Sequence, residues 1–261
     1  MNILRIGCVK YLNARPLIRG WSGEVEFDHP SALCKRLANG ELDVALVSSF
    51  EFLRNPIYRI VDDVSVSSDG PVYSVVVAHY GNLSQIKEIE LDPASQTAVN
   101  LLRCLHAEVG CNPRLVRRNT GVSPAGAKSI SARRAQLLIG DQAIRFRESH
   151  AGEFRFWDLG EQWKKLIGLP FVYALWLIRP EVPDAKTIAS RLRTLRDENL
   201  ADLDRLIAAE TDFDRQFCAC YYREHLRFNF GEQEKEGLRT FAKLCAKHGL
   251  LEESDLRFDL V

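Results

Sequence analysis

The sequence predicts an α/β protein built on buried, parallel strands. Short runs of valine, leucine and isoleucine, such as residues 42–47 and 72–78, alternate with longer segments whose apolar residues recur at helical spacing. Strands of a sheet that helices cover on both faces appear as unbroken apolar runs of this kind. The chain has 261 residues, 46% hydrophobic and 27% charged, which suffices for one large or two smaller domains and excludes a disordered protein.

The first eighty residues contain three strands and two helices. The strands are predicted at residues 3–9, 42–47 and 72–78. A helix begins at Pro30 and ends before Gly40, which is placed as its C-cap. A shorter helix follows the second strand, and Ser48 and Glu51 have the spacing of a capping box at its start.

The rest of the chain becomes increasingly helical. A helix is predicted over residues 95–109, with strands at 135–139 and 169–178. After two prolines the pattern changes to long amphipathic helices, predicted around residues 188–206 and 238–248.

Composition and charge exclude several classes of protein. The longest apolar run, residues 169–178, is about half as long as the roughly 20 residues that span a bilayer. The first residues lack the pattern of a secretory signal. We therefore expect a cytoplasmic protein without a membrane partner. Basic and acidic side chains both number 35, which argues against nucleic acid as a partner. Seven cysteines, scattered through apolar segments, are predicted to be reduced and mostly buried.

Charge is nevertheless uneven along the chain. Residues 101–150 hold nine basic and three acidic side chains, a net charge of +6, so the remainder carries −6. The basic excess is either a solvated helical face or a means of attracting an anionic substrate.

Polar residues follow several predicted strands at the point where each strand ends. In an open α/β sheet ligands bind at these carboxyl ends, and helix N-termini there favour carboxylates. Each residue could also be only a helix N-cap. The candidate binding residues in these turns are Tyr11, Asn13, Ser48, Ser95, Gln96, Thr97, Gly140 and Asp141.

Familiar signatures of cofactor and metal sites do not occur in the sequence. It has no dinucleotide-binding or phosphate-binding glycine loop, no serine-hydrolase elbow and no zinc motif, so we expect neither a cofactor nor a metal. The six histidines are dispersed and accompany no nucleophile motif, which favours structural or solvated roles for them.

Seven segments, read together, match one known family in order along most of the chain. They are residues 7–17, 40–49, 70–75, 91–97, 138–141, 158–163 and 168–176. The most specific are a Tyr-x-Asn-x-x-Pro turn at residues 11–16 and a Gly-Leu-Pro-Phe-Val run at 168–172. The chain resembles the chorismate dehydratases of the futalosine route to menaquinone. These enzymes have the two-lobed, type 2 periplasmic-binding-protein fold with a ligand cleft between the lobes.

The resemblance implies a lyase that removes water from chorismate, a small dicarboxylate, to give 3-[(1-carboxyvinyl)oxy]benzoate. The ring carboxylate activates the proton on C3 by conjugation and the C4 hydroxyl leaves, so the ring becomes aromatic and no cofactor is required. Asn13 would contact the reacting region, while Ser74, Ser95 and Thr97 would anchor carboxylates. Asp141 would orient the site or act as the base, and the substrate's own enolpyruvyl carboxylate is the alternative base. The other expected contacts are Tyr11, Ser48, Gln96, Gly140, Pro170 and Phe171.

The resemblance also implies how the lobes divide. The first lobe would combine residues 1–80 with 175–261, and the second would hold residues 81–174. The strands at 72–78 and 169–178 are suited to cross between the two lobes as hinges. The same fold serves solute-binding proteins that perform no chemistry. A non-catalytic binding protein for a small carboxylate is therefore the alternative function, and the sequence predicts no oligomeric state.

Overall fold

Two mixed β-sheets with helices packed around them form the fold. The computed structural model describes residues 4–92, 94–117 and 130–261. Four residues of the features predicted above, Ile3, Pro93, Arg118 and Lys128, lie outside the described residues. The described strands are β1 (Ile6–Cys8), β2 (Val25–Phe27), β3 (Val44–Ser48), β4 (Arg59–Ser68), β5 (Val75–His79), β6 (Glu88–Leu91), β7 (Arg114–Arg117), β8 (Arg134–Ile139), β9 (Arg155–Asp158), β10 (Phe171–Ile178) and β11 (Asp259–Leu260). The described helices are α1 (Arg15–Ile18), α2 (Pro30–Ala38), α3 (Ser49–Arg54), α4 (Gln96–Glu108), α5 (Gly140–Ser149), α6 (Leu159–Ile167), α7 (Ala185–Ala201), α8 (Leu203–Ala208), α9 (Arg215–Cys220) and α10 (Glu232–Lys247).

The first sheet joins the beginning of the chain to its end. Its strand order is β11-β4-β10-β3-β1-β2. The pairs β1–β2, β1–β3 and β4–β11 are parallel, whereas β10 runs antiparallel to both β3 and β4. Strand β3 is buried at every residue, as its unbroken apolar run predicts.

The second sheet is formed by the middle of the chain. Its order is β7-β6-β8-β5-β9, with β6 parallel to its neighbours and β5 antiparallel to β8 and β9. The prediction of wholly parallel sheets is therefore wrong for β5 and β10. An apolar run shows that a strand is buried but not which way it points. Its direction depends here on how the chain passes between the sheets.

Two strands were predicted to cross from one lobe to the other, but the chain crosses in the segments next to them. Strand β5 belongs entirely to the second sheet and β10 entirely to the first. The passages between the sheets therefore lie within residues 69–74 and 159–170.

The helices follow local sequence signals, with one break. Helix α4 matches its prediction, and Ser95 caps it by accepting the N–H of Ala98 at 3.0 Å. The helix predicted around residues 188–206 is divided into α7 and α8 by Asp202, whose φ of −117° and ψ of 49° are not helical. Neither glycine nor proline marks this break in the sequence.

A large apolar core includes strands of both sheets, and a smaller, separate cluster around Val76, Phe146 and Phe154 packs on the second sheet. The largest fully buried side chains include Trp163, Trp176, Phe171 and Phe241. All seven cysteines are free thiols and five of them are buried, in agreement with the prediction. Among the helices that the structure describes, none is both long and apolar enough to cross a membrane.

Candidate active site

A cavity lies between the two sheets, where strands of both come to an end. The turn after β1, the end of β3, and strands β4 and β10 line one side, and β5, the start of α4 and the β8–α5 junction line the other. Its polar residues are Tyr11, Asn13, Ser48, Ser95, Thr97 and Tyr173. Apolar side chains and Gly140 complete the lining, around a volume of about 80 Å³. Five of the polar residues predicted from the turns therefore meet at one place, together with Gly140.

The turn after β1 brings Asn13 to the cavity. Residues Leu12–Ala14 form one 3-10 turn, and no side chain caps it, so Asn13 does not have the capping role considered for it. The hydroxyl of Tyr222 donates to the Leu12 carbonyl at 3.0 Å, so this buried tyrosine supports the turn from behind.

The start of α4 faces the cavity from the opposite side. The Ser95 oxygen accepts the N–H of Ala98, which leaves its hydroxyl proton able to donate to a ligand. The Thr97 N–H donates to the Ser48 Oγ at 3.2 Å, and the Thr97 Oγ1 accepts the Phe50 N–H at 3.1 Å. The hydroxyls of Ser48 and Thr97 also contact each other, so this pair joins the two sides of the cavity.

The capping box predicted at Ser48 is wrong. The Ser48 side chain makes no capping bond to α3, because its hydroxyl is occupied by Thr97. Glu51 pairs with Arg54 at 2.5 Å instead of reaching back to the start of the helix.

Asp141 forms a second bridge across the cavity. Its Oδ1 accepts the backbone N–H of Leu12 at 2.8 Å. Burial raises the pKa of Asp141, while that bond and the charges of Arg15 and Arg145 act in the opposite direction. The carboxylate does not line the cavity but a neighbouring groove.

Gly140, just before Asp141, is required by close packing at the same place. Its φ is +54°, and a Cβ there would lie 2.8 Å from the ring of Tyr11. The β8–α5 junction can approach the turn after β1 only because this residue has no side chain.

Besides Asp141, four of the predicted site residues lie outside the cavity lining. Ser74 is fully buried and its Oγ accepts the Tyr221 hydroxyl at 2.6 Å. The Pro170 carbonyl accepts the Trp163 indole N–H at 3.3 Å, and Phe171 packs against Trp163 in the core. Gln96 begins α4 half-buried, without belonging to the lining.

The passage from the first sheet to the second is held by a buried carboxylate. Asp158 accepts the backbone N–H groups of Val72 and Tyr73 at 3.1 and 2.8 Å. Arg147 donates to the Tyr73 carbonyl at 3.0 Å and stacks over the Tyr73 ring. Tyr73 has a φ of +67°, a strained conformation for an aromatic residue. The segment that precedes β5 is therefore fixed at one end of the cavity.

Three of the basic side chains of residues 101–150 are engaged elsewhere. Arg114 and Arg134 both pair with Glu88 at the edge of the second sheet, and Arg147 holds Tyr73. These three do not line the cavity.

Tyr173, Tyr221 and Asp158 were not among the predicted site residues. Tyr173 lies in β10 and lines the cavity, while the other two hold residues that lie beside it. The adjacent pair Tyr221 and Tyr222 was an available signal, because a buried tyrosine hydroxyl needs a hydrogen-bond partner. Within the described ranges, no cluster of three or more His, Cys, Asp and Glu side chains could hold a metal ion.

The chain has the two-lobed fold of periplasmic binding proteins, with the cavity between the two lobes. The periplasmic aliphatic sulphonate binding protein SsuA from Escherichia coli has this architecture. It superposes with a TM-score of 0.65 at 14% identity, covering 99% of this chain and 96% of that one. The chain belongs to the menaquinone biosynthesis family, whose model matches residues 4–247.

Two curated relatives are similar over nearly the whole length. The chorismate dehydratase of Thermus thermophilus is 32% identical over 258 residues, covering 91% of this chain and 93% of the relative. The chorismate dehydratase of Campylobacter jejuni is 24% identical over 237 residues, covering 90% of each chain.

Proposed function

We propose that this protein is a chorismate dehydratase, which eliminates water from chorismate to give 3-[(1-carboxyvinyl)oxy]benzoate. One observation supports this most directly: the Asn13 carboxamide and the start of α4 meet in a cavity between the lobes. Family membership and the two relatives named chorismate dehydratase agree with it. We place the reaction in the futalosine route and in the cytoplasm, where seven free cysteines stay reduced.

The start of α4 suits one of the two substrate carboxylates. The helix dipole favours negative charge at the N-terminus of this 13-residue helix, where the N–H groups of Thr97 and Ala98 already donate to Ser48 and Ser95. The Ser95 hydroxyl adds a donor, since its oxygen already accepts the N–H of Ala98. A carboxylate here would place the substrate ring toward Asn13 on the opposite side.

Asn13 suits the reacting end of the substrate. Removal of the C3 proton delocalises negative charge into the ring carboxylate, and a fixed carboxamide N–H can stabilise such charge as it develops. The amide contributes without a proton transfer of its own. Its role is to lower the barrier to proton removal rather than to bind the ground state.

The base in this proposal is the enolpyruvyl carboxylate of the substrate. The cavity lining consists of hydroxyls, one carboxamide and apolar groups, and burial raises the pKa of the tyrosines Tyr11 and Tyr173, so both stay protonated. Asp141 instead holds the Leu12 N–H across the cavity. Its role is to join the lobes. Because it holds the Leu12 N–H, it also orients the turn that carries Asn13.

Entry of the substrate requires the lobes to separate. The cavity volume of about 80 Å³ lies far below the roughly 300–1,000 Å³ usual for ligand pockets. Opening would break the bridges Ser48–Thr97 and Leu12–Asp141, with bending at residues 69–71, ahead of the segment that Asp158 holds, and in the passage at 159–170. Small-angle scattering should show a smaller radius of gyration with product than without; no compaction would contradict this motion.

Direct assay decides between the two functions. Purified protein should convert chorismate to the enolpyruvyl benzoate in buffer without added metal or nucleotide, as chromatography of the products would show. Asn13→Ala provides the matched variant. Chorismate that binds tightly yet remains unchanged after long incubation would support a solute-binding protein instead.

A further inference from the structure

A groove lies next to the cavity and shares part of its wall. Its volume of about 660 Å³ is within the roughly 300–1,000 Å³ usual for ligand pockets. Val9 lines both the groove and the cavity. Lys10 and Asp141 line the groove, whereas their chain neighbours Tyr11 and Gly140 line the cavity. The turn after β1 and the β8–α5 junction therefore each contribute to both spaces.

Two contacts lie between the groove and the cavity. The ring of Tyr11 packs so closely on Gly140 that a Cβ there would lie 2.8 Å from it. Beside this contact, the Asp141 Oδ1 accepts the N–H of Leu12 at 2.8 Å. Both contacts join the turn after β1 to the β8–α5 junction of the second sheet. Separation of the lobes would break them and open a path from the groove to the cavity.

The groove offers apolar surface beside positive charge. Trp21 and Phe27 line it, and the guanidinium of Arg191 lies over the Trp21 ring, 4.5 Å from its centre. The Nζ of Lys10 lies 5.8 Å from the centre of the Phe27 ring. Among the residues that the structure describes, Lys10 and Arg19 pair with no carboxylate. Cations beside an apolar wall suit a small ring that carries carboxylates.

The acidic side chains of the groove lining are bound to the protein itself. Asp212 pairs with Arg15 at 2.6 Å, and the buried Glu210 contacts the same guanidinium. Asp141 holds the Leu12 N–H. Lys10 and Arg19 are therefore the lining charges that an incoming anion can neutralise.

We propose that the dicarboxylate substrate binds first in this groove, beside Lys10 and Arg19, and passes into the cavity as Tyr11 separates from Gly140. This inference rests on the proposed dehydratase function, which supplies an anionic substrate with a ring. Cations at the entrance of a cleft raise the rate at which an anion associates, and salt screens this effect. The groove acts on entry and not on proton removal, so its charge changes the association rate constant but not kcat.

Lys10→Ala tests the charge of the groove, with Lys243→Ala as its matched control. Both lysines are exposed and both changes remove one positive charge, but Lys243 lies on α10, outside the groove. The probe is the product, which keeps both carboxylates, and stopped-flow tryptophan fluorescence measures its association. In Lys10→Ala the association rate constant should fall on the order of threefold or more at about 0.01 M ionic strength, and less than about twofold at about 0.15 M.

The other variants should behave differently. Lys243→Ala should match wild type at both ionic strengths, and kcat should stay unchanged in both lysine variants. Arg19→Ala should slow association less than Lys10→Ala, because Arg19 also lines a second hollow with the carboxylates of Glu198 and Asp202. Equal slowing in both lysine variants, or normal association in Lys10→Ala, would overturn the proposal.

Blocking the groove tests the path independently of its charge. Phe27 is 45% exposed within the groove, and Ile57 is 52% exposed outside it. Phe27→Cys and Ile57→Cys, each labelled with the same bulky maleimide, place one obstacle at two positions, and wild type treated with the maleimide controls for the native thiols. Association of the product should slow on the order of tenfold in labelled Phe27→Cys and stay within about twofold in unlabelled Phe27→Cys and in labelled Ile57→Cys. Normal association in labelled Phe27→Cys would overturn the proposal.

Binding of the product requires no chemistry, which keeps this inference separate from the proposed function. Wild-type protein whose product binding is slowed by the label at position 27, but which leaves chorismate unchanged, would refute the dehydratase function alone. Wild-type protein that converts chorismate, while labelled Phe27→Cys binds the product at the normal rate, would refute the role of the groove alone.

Discussion

Substitution of Asp141 distinguishes a base from a bridge between the lobes. The carboxylate accepts the N–H of Leu12, a fully buried residue, at 2.8 Å. Asp141→Asn removes the negative charge and the basicity but keeps an oxygen that can accept this N–H. Asp141→Ala removes the acceptor as well. The pair therefore separates the two roles that the family resemblance leaves open.

The expected magnitudes follow from that one hydrogen bond. Leaving a buried N–H unpaired costs roughly 1–3 kcal/mol. If the bond forms only when the lobes close, Asp141→Ala should lower kcat/KM roughly tenfold to a hundredfold, at about 1.4 kcal/mol per tenfold. Asp141→Asn should stay within about threefold of wild type. Because burial raises the pKa of Asp141, the folded protein disfavours the charged form, so the neutral amide should not lower the melting temperature.

Steady-state kinetics with chorismate and thermal denaturation of both variants provide the assay. A base that takes the C3 proton contributes about 10² to 10⁴ in rate. If Asp141→Asn lost 10² or more in kcat while remaining as stable as wild type, Asp141 would be the base and our reasoning about the substrate carboxylate would be refuted.

Three further predictions concern the site and the core. Asn13→Ala should lower kcat on the order of 10² to 10³ with little change in melting temperature; a lower melting temperature with normal turnover would show that Asn13 is only structural. Burial lowers the pKa of His106 from 6.5 to about 4. The free energy of unfolding of wild type, relative to that of His106→Phe, should therefore be constant above pH 6.5 and decrease by about 3 kcal/mol as the pH falls to 4. Denaturant titration at several pH values measures this difference. A difference that does not vary with pH would contradict this. Gly237→Ala would place a Cβ 2.2 Å from the Pro170 carbonyl oxygen, so it should destabilise the fold by about 1–3 kcal/mol. An unchanged denaturation midpoint would show that α10 shifts without strain.

The sequence by itself determined the local elements and indicated which turns would lie close together. The apolar run of β3 and the Ser95 cap of α4 are visible as patterns within a few residues, because burial and capping depend on near neighbours. The ends of strands indicated a binding site, and Asn13 and Thr97 do meet in one cavity.

Only the tertiary structure decided the partners of these residues. The Leu12–Asp141 bond joins positions 129 residues apart and the Tyr221–Ser74 bond joins positions 147 apart. No pattern in the sequence around either residue of a pair indicates which distant residue it will bond. The antiparallel direction of β5 likewise depends on where the chain passes between the sheets. The two hydrogen bonds connect segments that are far apart in the sequence, and they form only when the folded elements that carry them pack together.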